Sequence, residues 1–395
     1  MELMWSGKED LFIDKDINKG IEFIYDSKKS LYPETTNNLF FGGDNLNVLT
    51  HLKKKYSSKI KMIYADPPYN INVNSNYSDN LSQDEWLNFM YYRLKLAREL
   101  LTDDGIMFIS ISELQFSTLK IICNEIFGKS HFMATLIWKK RTGAGRSTTG
   151  ISVDHEYILC YEKKKARLLG NLRTFKRFSN PDNDPRGVWR KGKINISLSS
   201  IHRPTQFYDI TDPKTGKVYK GDKNNAWRWI KKTMDEKIKN NEIVFPKKGK
   251  PYLKIFKSKA KSLYVPICSI LKDIGLNAEG AYTITKLIGN RAFEYSKPVS
   301  LMQFLIEQST DKNDIILDMF AGSCTTAHAV LKSNMEHSSN KRFIMIQKEE
   351  ENYSNYSYKT IADIGRDRIL KAGEEIKNYN PMFHGDIGFK YFKQS

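Results

Sequence analysis

The stretch Ile60–Asn70, which reads Ile-Lys-Met-Ile-Tyr-Ala-Asp-Pro-Pro-Tyr-Asn, restricts what this chain can fold into more than any other. Ile60, Met62, Ile63, Tyr64 and Ala65 form an apolar run of strand length, and two prolines end it because neither can donate to a sheet ladder. Asp66 therefore stands at the carboxyl end of a buried strand, the place where ligands bind in open α/β sheets. The prolines fix φ and set rigid carbonyl acceptors beside a carboxylate and an aromatic ring. Such a turn can hold an amine between Asp66 and the Pro67 carbonyl while Tyr69 stacks on the ring that carries the amine. An ordinary Asx turn begins with the same Asp-Pro pair, so the local residues leave that alternative open.

The flanking sequence alternates strand and helix signals. Leu39-Phe40-Phe41-Gly42-Gly43 reads as a strand into a glycine turn, and Leu46, Leu49 and Leu52 follow at helical spacing. Asp44 or Asn45 would cap that helix or contact a ligand. Asn70 to Asp84 is polar and suits a loop over a pocket. A helix is expected from Glu85 to about Leu101, a buried strand at Gly105–Ile111 and a further helix over Leu119–Phe127. Ser112 and Glu113 would either cap that helix or line the crevice. This alternation is the signature of a mostly parallel sheet.

From Trp138 the character changes. Lys139, Lys140, Arg141 and Arg146 make a basic, glycine-broken stretch without phosphate-loop spacing. Ser152–Tyr161 returns to strand-like sequence, with His155 expected to be a packed histidine. Between about Lys163 and Tyr264 basic residues interleave with aromatics, among them Phe175, Arg177, Phe178, Trp189, Arg190, Trp227, Arg228 and Trp229. Such a segment can meet phosphates through Lys and Arg and bases through rings, or be a small insertion with a solvated basic face.

Alternation resumes at Thr285. Ser296-Lys297-Pro298 opens a helix over Val299–Gln308, proline being tolerated where its missing N–H would be unpaired anyway. Asp314–Thr326 then reads strand, small-residue turn, helix, and the turn lets a ligand approach the backbone and the helix start. Arg342–Gln347 is another buried strand with a polar tip.

The chain has 395 residues with 63 Lys+Arg against 45 Asp+Glu, a net charge of +18, which favours a polyanionic partner. Its four cysteines show neither a CxxC pair nor histidine clustering, so no metal site and no disulfide framework is indicated, and a reducing cytoplasm is expected. No apolar run approaches membrane-spanning length.

An Asp-Pro-Pro-Tyr turn in the first half, a basic insertion, then Lys-Pro, a helix and a Phe-Ala-Gly-Ser turn resembles a β-class amino-methyltransferase of DNA. The resemblance covers most of residues 39–160 and 285–350, and Asp318–Val330 with Phe343–Gln347 is most similar to the modification subunits of type III restriction systems. It implies an α/β fold: a seven-stranded, Rossmann-like S-adenosylmethionine-dependent methyltransferase sheet, circularly permuted, with an inserted target-recognition domain. The implied parts are an arm at 1–38, a catalytic half at 39–162, a recognition insertion at 163–284, and a cofactor half with tail at 285–395.

Asp66, Pro67, Pro68 and Tyr69 would hold an extruded base. Asp318, Phe320, Ala321, Gly322, Ser323 and Cys324 would surround the methionine part of S-adenosylmethionine, with Asp44 or Asn45 near its adenine, Gln347 near its ribose, and Lys297 and Pro298 as the motif before the cofactor turn. Lys139, Lys140, Arg141, Arg146, Arg177, Arg190 and Arg228 would meet double-stranded DNA. Asp rather than Ser at the head of the turn favours adenine N6 over cytosine N4. A homodimer and a restriction subunit are implied partners, with a stand-alone type II or solitary enzyme as the alternative. Methylation of protein glutamine or RNA amines, and a non-catalytic DNA-binding subunit, are the rival readings; the first usually places its cofactor turn before the catalytic one.

Overall fold

The computed structural model describes residues 3–9, 21–70, 81–145, 149–289, 293, 295–351 and 358–395. Most of the polar segment expected to cover the pocket, part of the expected arm, and Arg146 lie outside these residues. In chain order come β1 (Phe23–Leu31), β2 (Leu39–Gly42), α1 (Asn45–Tyr56), β3 (Ile60–Ala65), α2 (Gln83–Leu100), β4 (Leu101–Ile111), α3 (Glu113–Phe127), β5 (Phe132–Lys139) and β6 (His155–Glu162). Short elements follow: β7 (Asn171–Leu172), β8 (Trp189–Gly192), β9 (Ile210–Thr211), β10 (Val218–Tyr219), α4 (Lys231–Lys239), β11 (Ile243–Val244), β12 (Tyr252–Phe256) and β13 (Tyr264–Val265). The last are β14 (Ile270–Leu271), α5 (Asn277–Ile288), α6 (Val299–Ser309), β15 (Ile315–Asp318), α7 (Thr325–His337), β16 (Arg342–Gln347), α8 (Ile361–Tyr379) and β17 (Phe389–Gln394).

Among the described residues the main sheet runs β1-β17-β2-β16-β15-β3-β4-β6-β5-β14. The seven strands from β2 to β5 are parallel except β6, which runs against both β4 and β5. Extra strands extend both edges of this seven-strand centre.

Side-chain alternation divides β3 between two cores. Met62 and Tyr64 pack with α6, α7 and α8, while Ile63 and Ala65 pack with α1, α2 and α3. Each fully buried Ile, Leu or Met there contributes roughly 1.5–3 kcal/mol. A sheet covered on both faces explains why β3, β4 and β16 read as continuous apolar runs. The crossover from β3 to β4 packs α2 on one face, and that from β15 to β16 packs α7 on the other. Neighbouring strands β3 and β15 therefore send their chains in opposite directions, which opens a crevice at their carboxyl ends.

Helix starts are set locally. Ser82 and Glu85 form a capping box at α2, and Thr360 and Asp363 form another at α8. Helix α3 begins at Glu113, earlier than the expected Leu119, and α7 runs on to His337, well past Leu331.

Two readings need correction. The expected arm contains β1, which pairs antiparallel with β17. Its sequence is polar because an edge strand is held by backbone hydrogen bonds more than by a buried face. The chain divides into two compact units, and the second is Gly170–Pro266, shorter than the 163–284 expected. Strand β14 pairs with β5, and α5 packs against α8, so both belong to the first unit.

The second unit has a core of its own, made of Ile194, Ile210, Trp227, Met234 and Ile243. Trp189 and Trp227 are buried, their indole N–H groups donating to Asp182 and to the Tyr208 carbonyl. Of the two readings left open for these rings, contact with bases or a small insertion, the packing favours the second: Trp227 is spent on the unit's own core, with Tyr208, Tyr219, Trp229, Phe245 and Leu253 packed against it.

Candidate functional site

The crevice between β3 and β15 is a cavity of about 520 Å³. Its lining combines the turn after β3, the turn after β15, the starts of α1 and α7, the tip of β16 and single residues from more distant segments.

On one side lies the Asp66 turn. Trp86, from α2, donates its indole N–H to the Pro68 carbonyl at 2.9 Å and so fixes the turn. The Tyr69 hydroxyl lies 2.9 Å from Asp66 Oδ1 and 3.0 Å from Glu156 Oε2, so in this state its hydroxyl, not its ring face, meets Asp66. Lys297 Nζ lies 2.9 Å from Asp66 Oδ2, 3.3 Å from Glu156 Oε2 and 3.2 Å from the Tyr69 hydroxyl. Lys140 completes the cluster at 3.2 Å from Glu156 Oε1.

Two carboxylates thus share two ammonium groups. Burial raises Asp66 above the ordinary carboxylate value; Lys297 pulls it back and Glu156 pushes it up again. Burial also opposes charge on Glu156, but Lys297 and Lys140 outweigh it and its carboxyl lies low. Lys297 is buried as well, and its two carboxylate partners hold it charged, above the ordinary lysine value.

The other side is the turn after β15. Asp318, 2% exposed, accepts from the Phe320 amide at 3.1 Å and from the Thr326 hydroxyl, and burial pushes its carboxyl up to about 7. Gly322 (φ 51°) and Cys324 (φ 58°) both take left-handed backbone, which winds the turn tightly into the start of α7. Gln347 Oε1 accepts from the Gly322 amide at 2.8 Å. Asn45 donates to the Met319 carbonyl at 2.9 Å, and Asp44 caps α1 by accepting from the Leu46 amide. Arg93 pairs with Asp44 at 3.1 Å and also donates to the Asn45 side chain.

Of the residues expected at the site, Asp66, Pro67, Pro68, Tyr69, Asp44, Asn45, Lys297, Asp318, Phe320, Ala321, Gly322, Ser323 and Gln347 line this one cavity. Cys324 and Pro298 do not. The Cys324 thiol is buried toward Gly365 of α8, because its left-handed backbone turns the side chain away from the lining. Pro298 is the buried cap residue of α6. Lys297, expected beside the cofactor, reaches Asp66. The Gln347 side chain is engaged on the turn backbone, whereas Glu350, not anticipated, lines the cavity with burial raising its carboxyl.

Glu156, Arg93, Ser296 and Lys140 are further polar groups in or behind the lining. Ser112 is the cap residue of α3 and lines the cavity, its buried hydroxyl having no partner among the described residues, and Glu113 accepts from Tyr157. Among the expected DNA contacts, Lys139, Arg177 and Arg228 are exposed, Arg141 pairs with Asp154, and Arg190 lies by the Phe178 ring. Among the described residues no helix is long and apolar enough to cross a membrane.

A family model described as DNA methylase, of the N6 and N4 methyltransferase type, matches residues 60–359. The Mod subunit of the type III restriction-modification enzyme StyLTI of Salmonella typhimurium is 31% identical, over 91% of this chain and 60% of the relative. The EcoP15I Mod subunit of Escherichia coli is 29% identical over 91% and 65%. The type II methyltransferase M.KpnI of Klebsiella pneumoniae is 32% identical over 91% of this chain and 93% of its own. The chain thus spans 60–65% of the length of these type III relatives. Among solved structures, the cytosine-N4-specific PvuII DNA methyltransferase aligns with a TM-score of 0.44 and 15% identity over 87% of this chain and 94% of that one.

Proposed function

The chain belongs to the DNA methylase family, and from that premise we propose that it transfers a methyl group from S-adenosylmethionine to adenine N6 of DNA. The observation that carries the reading is the meeting of two acid-bearing turns, Asp66-Pro67-Pro68-Tyr69 and Asp318–Ser323, at the ends of adjacent parallel strands around one cavity.

The lining suits the methyl donor. A cavity of about 520 Å³ is of nucleoside-ligand size, Glu350 offers a carboxylate to ribose hydroxyls, and Phe320 presents an aromatic ring. Asp318 supplies negative charge near a sulfonium, and the start of α7 offers unpaired backbone N–H groups. Bound there, S-adenosylmethionine would supply an electrophilic methyl group.

The work of the chain is on the amine. An exocyclic amine is a poor nucleophile because its lone pair is delocalised into the ring. Asp66 and the Pro67 carbonyl, to which no described group donates, would accept its two protons and localise that pair. The cluster around Asp66 explains how a carboxylate is kept ready before the base arrives. Lys297 neutralises it, and when the amine takes over Asp66, Glu156 remains to carry the ammonium. Tyr69, leaving Asp66, would turn its ring to the base, which has to leave the duplex to reach this depth. Asp66 at the head of the turn supports adenine over cytosine. The net charge of +18 supports phosphate contacts on double-stranded DNA. Lys139 and Arg141 in the first unit, and Arg177, Arg190 and Arg228 in the second, are proposed to make them, and Gly170–Pro266 to read the target sequence. A homodimer and a restriction subunit are the proposed protein partners.

Sequencing of DNA from cells that express the chain, with modified bases identified on single molecules, tests the proposal. N6-methyladenine at one short motif, absent with Asp66→Ala, is the expected result. N4-methylcytosine would change the base, and an unmodified genome despite bound S-adenosylmethionine would reject the reaction.

A further inference from the structure

Arg368 is fully buried on the apolar stripe of α8, between Ile361, Ile364 and Gly365 on one side and Ile369 and Ala372 on the other. Its Nη1 shares its two protons among three hydroxyl oxygens, Thr325 Oγ1 at 2.7 Å, Ser296 Oγ at 2.8 Å and Ser323 Oγ at 2.9 Å. Its Nε and Nη2 have no partner, and no carboxylate of the described residues pairs with it. Burial brings its pKa down to about 10, so it remains a cation. A buried charge without a counter-charge is among the most destabilising features a core can hold, and it persists where something outside the chain completes it.

The three residues whose hydroxyls meet Arg368 also line the cavity, Ser323 and Thr325 at the start of α7 and Ser296 just before α6. They touch one another, with Ser323 Oγ 3.1 Å and Thr325 Oγ1 3.2 Å from Ser296 Oγ. An oxygen that accepts from a guanidinium becomes a better donor through its own O–H. The cavity floor therefore holds a linked set of polarised hydroxyls, in which Ser323 donates to Ser296, with a full positive charge behind it, a setting that suits a small planar anion.

We propose that Arg368, acting through Ser296, Ser323 and Thr325, selects the carboxylate of the amino-acid end of the methyl donor. This rests on the reading of the cavity as an S-adenosylmethionine site, and it makes Arg368 a positioning residue outside the strand-end turns. The ligand carboxylate is the counter-charge that the chain leaves out.

Calorimetric titration of the full chain with S-adenosylmethionine and with its decarboxylated form, which keeps the sulfonium and the amine, separates the carboxylate from the rest of the ligand. The wild type is expected to prefer the carboxylate form by about tenfold to a hundredfold, the range of one or two charge-assisted hydrogen bonds. Arg368→Met is expected to reduce that preference about tenfold by weakening S-adenosylmethionine alone, and Arg368→Lys to restore part of it. Thr325→Val removes a hydroxyl and keeps the volume, so it should shift the ratio in the same direction even if the Arg368 variants do not fold.

Equal weakening of both ligands by Arg368→Met and Thr325→Val would make the arginine architectural and overturn the inference, as would an unchanged ratio. A wild type that binds S-adenosylmethionine without preference for the carboxylate form rejects this inference alone. A wild type that binds neither ligand rejects the cofactor reading as well.

Discussion

Asp66 and Asp318 end neighbouring parallel strands and face the same cavity, yet the chain treats their charges in opposite ways. Asp66 is surrounded by Lys297 and, through Lys297, Glu156, both from distant segments, and by Tyr69 of its own turn. Asp318 is held by its own turn and the helix that follows it, through the Phe320 amide and the Thr326 hydroxyl, and among the described residues no cation pairs with it. The result is a neutralised ion pair on one strand and, on the next, a carboxyl pushed up to about 7. An acid that must take hydrogen bonds from an incoming amine is best kept ionised by a cation that can let go. An acid that meets a cationic ligand can wait for that ligand to supply the charge.

The largest test of this contrast is at Asp66. Asp66→Ala is expected to lower kcat about a thousandfold while DNA affinity stays within about threefold, because phosphate contacts supply most of the binding. Asp318→Ala should act mainly on the affinity for S-adenosylmethionine. Single-turnover rates and titrations on both variants decide it, and a kcat loss at Asp318 exceeding that at Asp66 would invert the assignment.

Lys297→Met sharpens the same point. It leaves Asp66 and Glu156 facing each other without their shared cation, so the pKa of Asp66, already raised, rises further. The acid limb of the kcat/KM profile should move to higher pH by about one unit or more. Chemical denaturation at neutral pH should show a loss of about 3 kcal/mol for the stranded Asp66, since Glu156 keeps Lys140. An acid limb that stays in place, or moves down, would remove Lys297 from the control of Asp66.

Asp318 gives a signature with a definite sign. Its folded pKa of about 7 lies above the ordinary 3.8, so between those values the folded chain holds a proton that the unfolded chain releases. Stability of the ligand-free protein therefore falls as pH rises through that window, by at most about 1.4 kcal/mol per unit. Asp318→Asn removes the titration. Relative to wild type it should gain about 2 kcal/mol at pH 8 over pH 5. Urea melts at the two pH values measure the difference, and an equal difference at both would show that Asp318 is not burdened by its charge.

The contrast also separates what the sequence makes legible from what it hides. The Asp318 turn is built from consecutive residues, and the Asp66 turn from a tetrapeptide, so both can be read along the chain. Strands β3 and β16 are legible because burial on both faces leaves an unbroken apolar run. The partners of Asp66 are hidden, since Glu156 and Lys297 lie 90 or more residues away and meet it only when β6 and the start of α6 are in place. Strand β1 is hidden for another reason: its polar edge sequence carries no period to read. The tryptophans of the second unit mislead, since aromatic rings among basic residues look the same whether they face a ligand or a small core. Arg368 does carry a signal, a charged residue at Ile361, Ile364, Arg368, Ile369, Ala372 spacing, on the stripe where only apolar groups belong.

The smallest effect concerns how the Asp318 turn keeps its shape without distant charges. Cys324 takes left-handed backbone that costs a non-glycine residue about 1 kcal/mol. Its thiol fills the space above Gly365, where a Cβ would stand 2.5 Å from the sulfur and 3.3 Å from the Gly322 carbonyl. Helix α8 therefore presses on this turn at a point where any side chain is too large. Gly365→Ala is expected to destabilise by about 1 kcal/mol, the overpacking term outweighing the better helix propensity of alanine. Adding Cys324→Gly should recover most of that loss, because it removes the sulfur and the backbone strain together. The Asp66 turn, fixed from the other face by Trp86, should keep its part of the chemistry in both variants. A Gly365→Ala protein as stable as wild type would show that the turn can shift away from α8, and that its geometry is set by Gln347 and Asn45 instead.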